Sequence, residues 1–139
     1  MDGTLADLYA VDGWLACLRN EDIMPYAQAK VMHNMAYLAR LLNAVQRKGN
    51  EIGIISWTSK GGSTGYNARV MAAKYKWLAD HLPSVDWDYV RIVPYGTNKY
   101  ETCGGGILFD DEQGNRTAWK DESYEPTEII KILKKVLDN

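Results

Sequence analysis

Two adjacent carboxylates end a short apolar run in the last third of the chain. Glycines at 104–106 precede the apolar residues 107–109, and Asp110 and Asp111 follow directly. A short apolar segment bounded by glycines is typical of a buried strand. Ligands of open α/β sheets bind at the carboxyl ends of the strands, so this pair would place negative charge where a cation could be held. A turn or a helix cap is the alternative, because Asp suits both.

Three further polar side chains stand where strands or loops are expected to end. Asp2 lies at the start of the chain, Ser56 follows the apolar segment 52–55, and Lys99 precedes the three glycines. A lone loop lysine is usually solvated, and each residue alone is weak evidence. Together with the acidic pair they suit phosphoryl transfer. Magnesium takes carboxylate oxygens, a lysine balances phosphate charge, and a hydroxyl hydrogen-bonds the transferred group.

A polar, glycine-rich loop at 57–65 follows Ser56. Such a loop can present backbone N–H groups and hydroxyls to an anion. Its glycines have neither the spacing of a P-loop nor that of a dinucleotide-binding fingerprint. The loop therefore supports anion binding only in combination with the other residues.

The composition describes one ordinary globular domain. The chain has 139 residues, 46% of them hydrophobic, and a net charge of −2, so no basic excess indicates nucleic-acid binding. Two cysteines make no disulfide framework and suit a reducing compartment. No apolar run is long enough for a membrane span, and the acidic start does not resemble a signal peptide. We expect a cytoplasmic protein with no membrane or nucleic-acid partner.

Apolar periodicity predicts an amphipathic helix over residues 27–48. Gly49 and Asn50 would end it. His33 falls inside this pattern and is interpreted as a surface or half-buried side chain rather than a metal ligand. The predicted apolar face comprises Val31, Met35, Leu38, Leu42 and Val45.

The middle of the chain predicts a strand at 52–56 and a second amphipathic helix at about 67–82. Trp77 lies on the apolar face of that helix and is interpreted as a core residue. His81 is interpreted in the same way as His33. Pro83 closes the helix.

The last third predicts two further strands and a C-terminal helix. The strands are expected at 89–93 and 107–111, with a possible short one at 117–119 after a tight loop at 112–115, and the helix at 126–138. Strands that alternate with helices predict an α/β fold with a parallel sheet and right-handed crossovers.

The segments that carry these polar residues resemble the haloacid dehalogenase-like phosphohydrolase superfamily. The opening Met-Asp-Gly-Thr-Leu-Ala-Asp is similar to the tail of its first motif, Asp-x-Asp-Gly-Thr/Val-Leu-Ala-Asp. Ser56 matches the hydroxyl of the second motif, Lys99 the lysine of the third, and residues 107–111 the fourth. The resemblance extends from residue 1 to about 119.

Within that superfamily the 5′(3′)-deoxyribonucleotidase-like branch is the most similar. Its members share the Leu-Ala-Asp extension, a Trp-Leu helix before the lysine, and an Asp-Asp motif followed by an Asn, matched here by Asn115. The resemblance implies one domain over 1–139 with a three-layer Rossmann-like fold built on a parallel sheet. It also implies a small helical cap at about 10–48.

The resemblance implies a role for each matched residue. Asp2 would protonate the leaving oxygen and then activate water. Ser56, with Thr58 as the second candidate, would hold a phosphoryl oxygen, and Lys99 would offset negative charge. The implied ligands of Mg²⁺ are Asp110, Asp111 and the backbone carbonyl of Asp2. The implied phosphate-binding residues are Gly3, Thr4, Ser56, Trp57, Thr58 and Lys99.

The implied activity is Mg²⁺-dependent hydrolysis of a small phosphorylated substrate, for example a nucleotide, through an aspartyl-phosphate. The nucleophilic aspartate of that family would stand one residue before Met1, at the end of a first strand that this chain lacks. Either an internal methionine has been taken as the start, or the chain is a fragment or a degenerate relative. Without that strand, Ile54 and Leu108 are expected to lose a neighbour and to leave apolar surface uncovered.

Two other classes of protein fit part of the pattern. A response-regulator receiver domain also combines acids, a hydroxyl and a lysine. Its acid pair comes first along the chain, however, whereas Asp110 and Asp111 follow Lys99. The second class is a non-catalytic domain that binds phosphate, a nucleotide or a partner. The absent nucleophile favours that class, and the presence of every other site residue favours the enzyme.

Overall fold

The computed structural model describes residues 1–139 as a mixed α/β protein with seven α-helices and four short strands. The helices are α1 (Trp14–Arg19), α2 (Met24–Gln28), α3 (Met35–Arg47), α4 (Thr64–His81), α5 (Lys99–Cys103), α6 (Gln113–Ala118) and α7 (Ile129–Asp138). The strands are β1 (Gly53–Trp57), β2 (Tyr89–Val93), β3 (Leu108–Phe109) and β4 (Ser123–Tyr124). Single 3₁₀ turns precede α1 and α7, at Leu8–Ala10 and Pro126–Glu128.

The strands form two separate parallel sheets of two strands each. In the first, Gly53 of β1 lies opposite Tyr89 of β2, and in the second, Leu108 of β3 lies opposite Ser123 of β4. The α/β class and the parallel pairing predicted from the sequence are confirmed. The single sheet is not observed, because β1 and β3 do not pair with each other.

The first six residues form a compact turn that packs into the core. Leu5 N donates a hydrogen bond to Met1 O, and Gly3 N donates one to Ala6 O. Met1, Leu5 and Ala6 all belong to the main hydrophobic cluster. The turn is therefore fixed both by its own backbone hydrogen bonds and by the burial of its apolar side chains.

The helix predicted over 27–48 is wrong in its first part. The structure divides this stretch into α2 and α3, and α3 begins only after Asn34, whose Oδ1 accepts a hydrogen bond from Tyr37 N at 3.1 Å. Asn is a favoured N-cap, so the sequence does contain the start signal. Val31, which was expected on the apolar face, is 39% exposed.

The connection between α2 and α3 is extended because its backbone bonds to the N-terminal turn. Asp7 N donates to Lys30 O at 2.8 Å, and Met32 N donates to Leu5 O at 3.0 Å. These backbone groups cannot also take part in a helix. The sequence pattern placed His33 in a helix. In the structure His33 lies in this connection.

The loop predicted at 112–115 and the strand predicted at 117–119 are also wrong. Both stretches fall largely in α6, and the strand that pairs with β3 is β4. A tertiary contact holds the helix in place, since Arg116 Nη1 donates to Asp110 O at 2.9 Å. Asp110 N in turn donates to Tyr124 O at 3.2 Å, which fixes the position of β4.

Smaller differences concern the ends of the elements. Helix α4 starts three residues before the predicted position because Ser63 Oγ caps it by accepting from Tyr66 N at 3.2 Å. Lys99 is the first residue of α5 rather than a loop residue. Strand β2 occupies the residues predicted for it.

The core confirms the interpretation of Trp77, which is 1% exposed and donates from Nε1 to Ala29 O. Ile54 and Leu108 are 7% and 6% exposed, so their side chains are covered even though β1 and β3 do not pair. The expectation that they would leave apolar surface uncovered is therefore wrong. None of the helices combines the length and the hydropathy that crossing a bilayer requires.

Candidate functional site

One cavity of about 420 Å³ brings together residues from distant parts of the sequence. Its walls come from the N-terminal turn, the loop after β1, the start of α5 and the end of β3. The predicted site residues that line it are Asp2, Ser56, Trp57, Thr58, Lys99, Asp110 and Asp111. Gly3 and Thr4 are not part of the lining.

Lys99 and Asp110 form an ion pair on one wall of the cavity. The distance from Lys99 Nζ to Asp110 Oδ2 is 2.7 Å, and the two side chains are 11% and 6% exposed. Glu112 N donates to Asp110 Oδ1 at 2.9 Å, and Asn115 Nδ2 lies within 3.3 Å of both carboxylate oxygens. Burial opposes ionisation of Asp110, but the charge of Lys99 and these hydrogen bonds outweigh it, so the pKa of Asp110 lies below its usual value.

Asp111 has the opposite electrostatic environment. Its half-buried carboxylate has no lysine or arginine partner. Burial, followed by the charge of Asp110, raises the pKa of Asp111. A carboxylate in this position favours a cation. In the acidic pair, the charge of Asp110 is therefore balanced by Lys99, whereas the charge of Asp111 has no cationic partner.

Behind Asp2 and Ser56, which line the opposite wall, lies a buried lysine that was not among the predicted site residues. Lys74 of α4 has no exposed surface, and its Nζ lies 2.8 Å from Asp2 Oδ2, 2.8 Å from Ser56 Oγ and 2.6 Å from Trp57 O. Its position offered a signal, since a lysine four residues after Val70 and four before Leu78 lies on the apolar face of the helix. A charged residue on such a face needs a buried partner.

The backbone N–H groups expected to bind phosphate are partly occupied. Gly3 N donates to Ala6 O and Thr4 N donates to Met1 O, both inside the N-terminal turn. Thr58 N donates to Val93 O at 2.8 Å. Anion contacts at this cavity would therefore come mainly from side chains, namely the Ser56 hydroxyl and the Lys99 ammonium.

Thr4 and His33 flank the turn on its buried side. The Thr4 hydroxyl is buried and has no hydrogen-bond partner. His33 Nε2 lies 2.6 Å from Thr4 O and donates to that carbonyl. His33 thus supports the N-terminal turn through its hydrogen bond to Thr4 O.

The amino group of Met1 lies within the electrostatic reach of both ion pairs. Burial lowers its pKa to about 6. The charges of Lys99 and Lys74 also lower it, whereas Asp2 and Asp110 raise it. A buried amine has few opportunities for hydration, so its neutral form is favoured. This group marks the point at which the two walls of the cavity meet.

Aromatic side chains line the other half of the cavity. Tyr9 and Trp14 meet edge to face with ring centroids 4.9 Å apart, and Trp57 and Tyr95 lie at the same distance. Tyr26 closes the floor, and burial raises the pKa of its hydroxyl, which stays protonated. Of these five rings, Trp14 and Tyr26 belong to the segment at 10–48 that was predicted to form a cap.

The fit to a magnesium ion depends on one carboxylate and one backbone carbonyl. Asp111 lacks a cationic partner, and the backbone carbonyl of Asp2 accepts no hydrogen bond within the protein. Oxygen ligands of this kind suit Mg²⁺, which also keeps several waters. The structure contains no cluster of three or more His, Cys, Asp or Glu side chains arranged to hold a metal ion.

The fold and the cavity define a mixed α/β protein with a site built from paired lysines and carboxylates. No family model matches this chain, and no curated protein or solved structure is significantly similar to it.

Proposed function

We propose that this chain carries the site of a magnesium-dependent phosphomonoester hydrolase of the haloacid dehalogenase type. The substrate is a small phosphorylated metabolite, with a nucleotide as the leading candidate. The convergence of Asp2, Ser56, Lys99, Asp110 and Asp111 on one cavity is the observation that carries the proposal. The sequence analysis selected these five residues from separate segments, and unrelated surface residues would not be expected to meet.

Each side chain has a role in this proposal. Lys99 offsets charge on the transferred phosphoryl group, and Ser56 donates a hydrogen bond to one of its oxygens. Asp2 gives a proton to the leaving oxygen and then takes one from the attacking water. It does so through Oδ1, which has no partner in the protein. Asp110 holds Lys99 in place through their 2.7 Å contact.

Magnesium would be held by the Asp111 carboxylate and the Asp2 backbone carbonyl, with Asp110 as the third acidic residue of the predicted set. Bound there, the ion would supply positive charge to the phosphoryl oxygens. The raised pKa of Asp111 supports this assignment, because a cation would remove the cost of its ionised form.

The aromatic half of the cavity supports a substrate with a flat ring. Rings such as Trp14 and Trp57 bind nucleobases by stacking, which is worth about 1–3 kcal/mol per base. Arg19 also lines this half and can contact a polar edge.

The proposal places the nucleophile before Met1. The turn at Met1–Gly3 lies between the ends of β1 and β3, since Asp2 shares Lys74 with Ser56 and Gly3 contacts Asp111. A strand that leads into this turn would enter between the two sheets and join them into one Rossmann-like sheet. An aspartate at its end would face the phosphoryl group.

The test compares two forms of the protein. One is the 139-residue chain, and the other adds the residues encoded in frame before the Met1 codon. Both are assayed with p-nitrophenyl phosphate and with a panel of deoxynucleoside monophosphates, in Mg²⁺ and in EDTA. The proposal expects Mg²⁺-dependent hydrolysis by the longer form and phosphate binding without turnover by the 139-residue chain. Failure of both forms to bind or hydrolyse any phosphomonoester would overturn it.

A further inference from the structure

Lys74 has no exposed surface, yet all of its hydrogen-bonding capacity is directed at the candidate site. An ammonium group has three N–H donors and no acceptor. Three oxygens surround its Nζ within 2.8 Å, and they belong to Asp2, Ser56 and Trp57. Lys74 therefore has no donor left for a ligand.

This arrangement fixes the hydrogen-bonding role of Ser56. Ser56 Oγ accepts from Lys74 and makes no other hydrogen bond within the protein. Ser56 is 3% exposed and lines the cavity, so its own hydroxyl proton is the group left to meet a ligand. A hydroxyl that already accepts a charged hydrogen bond is also a better donor, because bonds in such chains polarise one another.

We propose that Lys74 is a positioning residue that makes Ser56 a hydrogen-bond donor towards the cavity. The site then offers a hydrogen-bond donor to a phosphoryl oxygen, which accepts at this point. Lys74 also holds Asp2 by Oδ2 and leaves Oδ1 without a partner in the protein. This inference rests on the proposed function and assigns a role to a residue that the motif resemblance does not include.

Lys74 acts through its neighbours and not by contact with the ligand. It does not line the cavity, and the ring of Tyr26 covers it at 5.1 Å. The simpler explanation is a structural one, in which Lys74 only ties the N-terminal turn to β1. The two explanations differ in one measurable respect, which is the coupling between Lys74 and the Ser56 hydroxyl.

The experiment is a double-mutant cycle on the affinity of the 139-residue chain for inorganic phosphate, measured by calorimetry at pH 7.5. The variants are Lys74→Met, Ser56→Ala and the double substitution. Lys76→Met is the matched control, because Lys76 lies on the same helix and its side chain is 76% exposed in an ion pair with Asp80. We expect Lys74→Met to weaken phosphate binding at least about tenfold when Ser56 is present, and by less than about twofold when it is Ala. The control should bind as the unsubstituted chain does.

Equal losses in the two backgrounds, or no loss in either, would overturn the role of Lys74 and leave the proposed function intact. An unsubstituted chain that binds no phosphate would overturn the inference, and the proposed function would then be decided by the hydrolysis assay of the longer form. If Lys74→Met does not fold, the ammonium resonance of Lys74 is followed by NMR in proteins that keep the lysine. The expected result is a shift on addition of phosphate that is lost in Ser56→Ala. A shift of the same size in both proteins would contradict the inference.

Discussion

The carboxylate of Asp111 packs directly against the backbone of Gly3, which leaves no space for a Cβ between them. Gly3 also has φ +71°, a left-handed conformation that glycine adopts without strain. The turn that carries Asp2 and the strand that carries Asp111 therefore share one surface. The position of the uncompensated carboxylate depends on the absence of a side chain at residue 3.

Gly3→Ala should displace Asp111 as well as strain the turn. The left-handed backbone alone costs about 1–2 kcal/mol for a residue with a Cβ. Gly13 is the matched control, because it has φ +68° and no atom within 4 Å of an added Cβ. We expect the free energy of unfolding in urea to fall further for Gly3→Ala than for Gly13→Ala. Equal losses would contradict the close contact with Asp111.

Asp111→Asn should abolish Mg²⁺-dependent hydrolysis by the longer, active form while leaving the fold intact. Because the folded protein raises the pKa of Asp111, its charge destabilises the fold at neutral pH, so the amide should not lower stability in EDTA. Thermal unfolding with and without Mg²⁺ measures both effects. Glu112→Gln, at the exposed neighbouring position, is the control and should keep its response to Mg²⁺. Undiminished turnover in Asp111→Asn would refute the metal assignment.

Lys99→Ala should reduce kcat of the active form by about 10²-fold or more, as the loss of one preorganised charge stabiliser typically does. Circular dichroism should confirm that the variant is folded, because Asp110 loses its ion-pair partner. Lys60 lines the same cavity and lies over the Tyr95 ring at 5.7 Å, so Lys60→Ala is the control. A change below a few-fold for Lys99→Ala would limit Lys99 to its structural ion pair with Asp110.

The amino group of Met1 should make the stability of the 139-residue chain depend on pH between 6 and 8. Its folded pKa of about 6 lies below the ordinary value of 8.0, so the unfolded chain binds more protons in this range. The free energy of unfolding should therefore rise with pH, by about 2–3 kcal/mol across the window. Acetylation of the amine is the control and should remove this contribution. A flat profile for the free amine would contradict its burial between the two ion pairs.

The sequence predicted which residues line one cavity better than it predicted the elements around them. Ser56 lies near the end of β1 and Asp110 directly after β3, so a search of strand ends finds both, whereas Lys99 begins α5. Lys74 was missed although its spacing from Val70 and Leu78 puts it on the apolar face of α4, because lysines are mostly exposed. Burial of an ammonium group depends on acceptors that other segments supply, and no local pattern contains them.

The errors in secondary structure have a similar cause. The residues at 30–32 fit a helix by their own periodicity, but their backbone groups bond to residues 5–7. Helix α6 contains glycine and polar residues that locally favour a loop, and it is held by the contact between Arg116 and Asp110. Contacts between segments far apart in the chain override local preference in both places.

The last prediction concerns the open edges of β1 and β3. Strand β1 pairs only with β2, and β3 pairs only with β4, so each has one edge whose backbone groups have no strand partner. The turn at Met1–Gly3 lies between the ends of these two strands. A strand of about 5–8 residues that leads into Met1 would therefore fit between them and pair with both.

We expect such an extension, encoded in frame before the Met1 codon, to join the two sheets. Each buried Val, Leu or Ile contributes about 1.5–3 kcal/mol, so several of them are comparable with the whole stability of a small domain, about 5–15 kcal/mol. The 139-residue chain should unfold at low urea with a shallow transition, whereas the extended chain should unfold in one sharp transition and hydrolyse phosphomonoesters in Mg²⁺. A Gly-Ser extension of the same length is the control, since it adds chain but no apolar side chains or nucleophile. If both extensions give the same stability and neither is active, no strand enters between β1 and β3. The proposal of a nucleophile at the end of that strand would then be wrong.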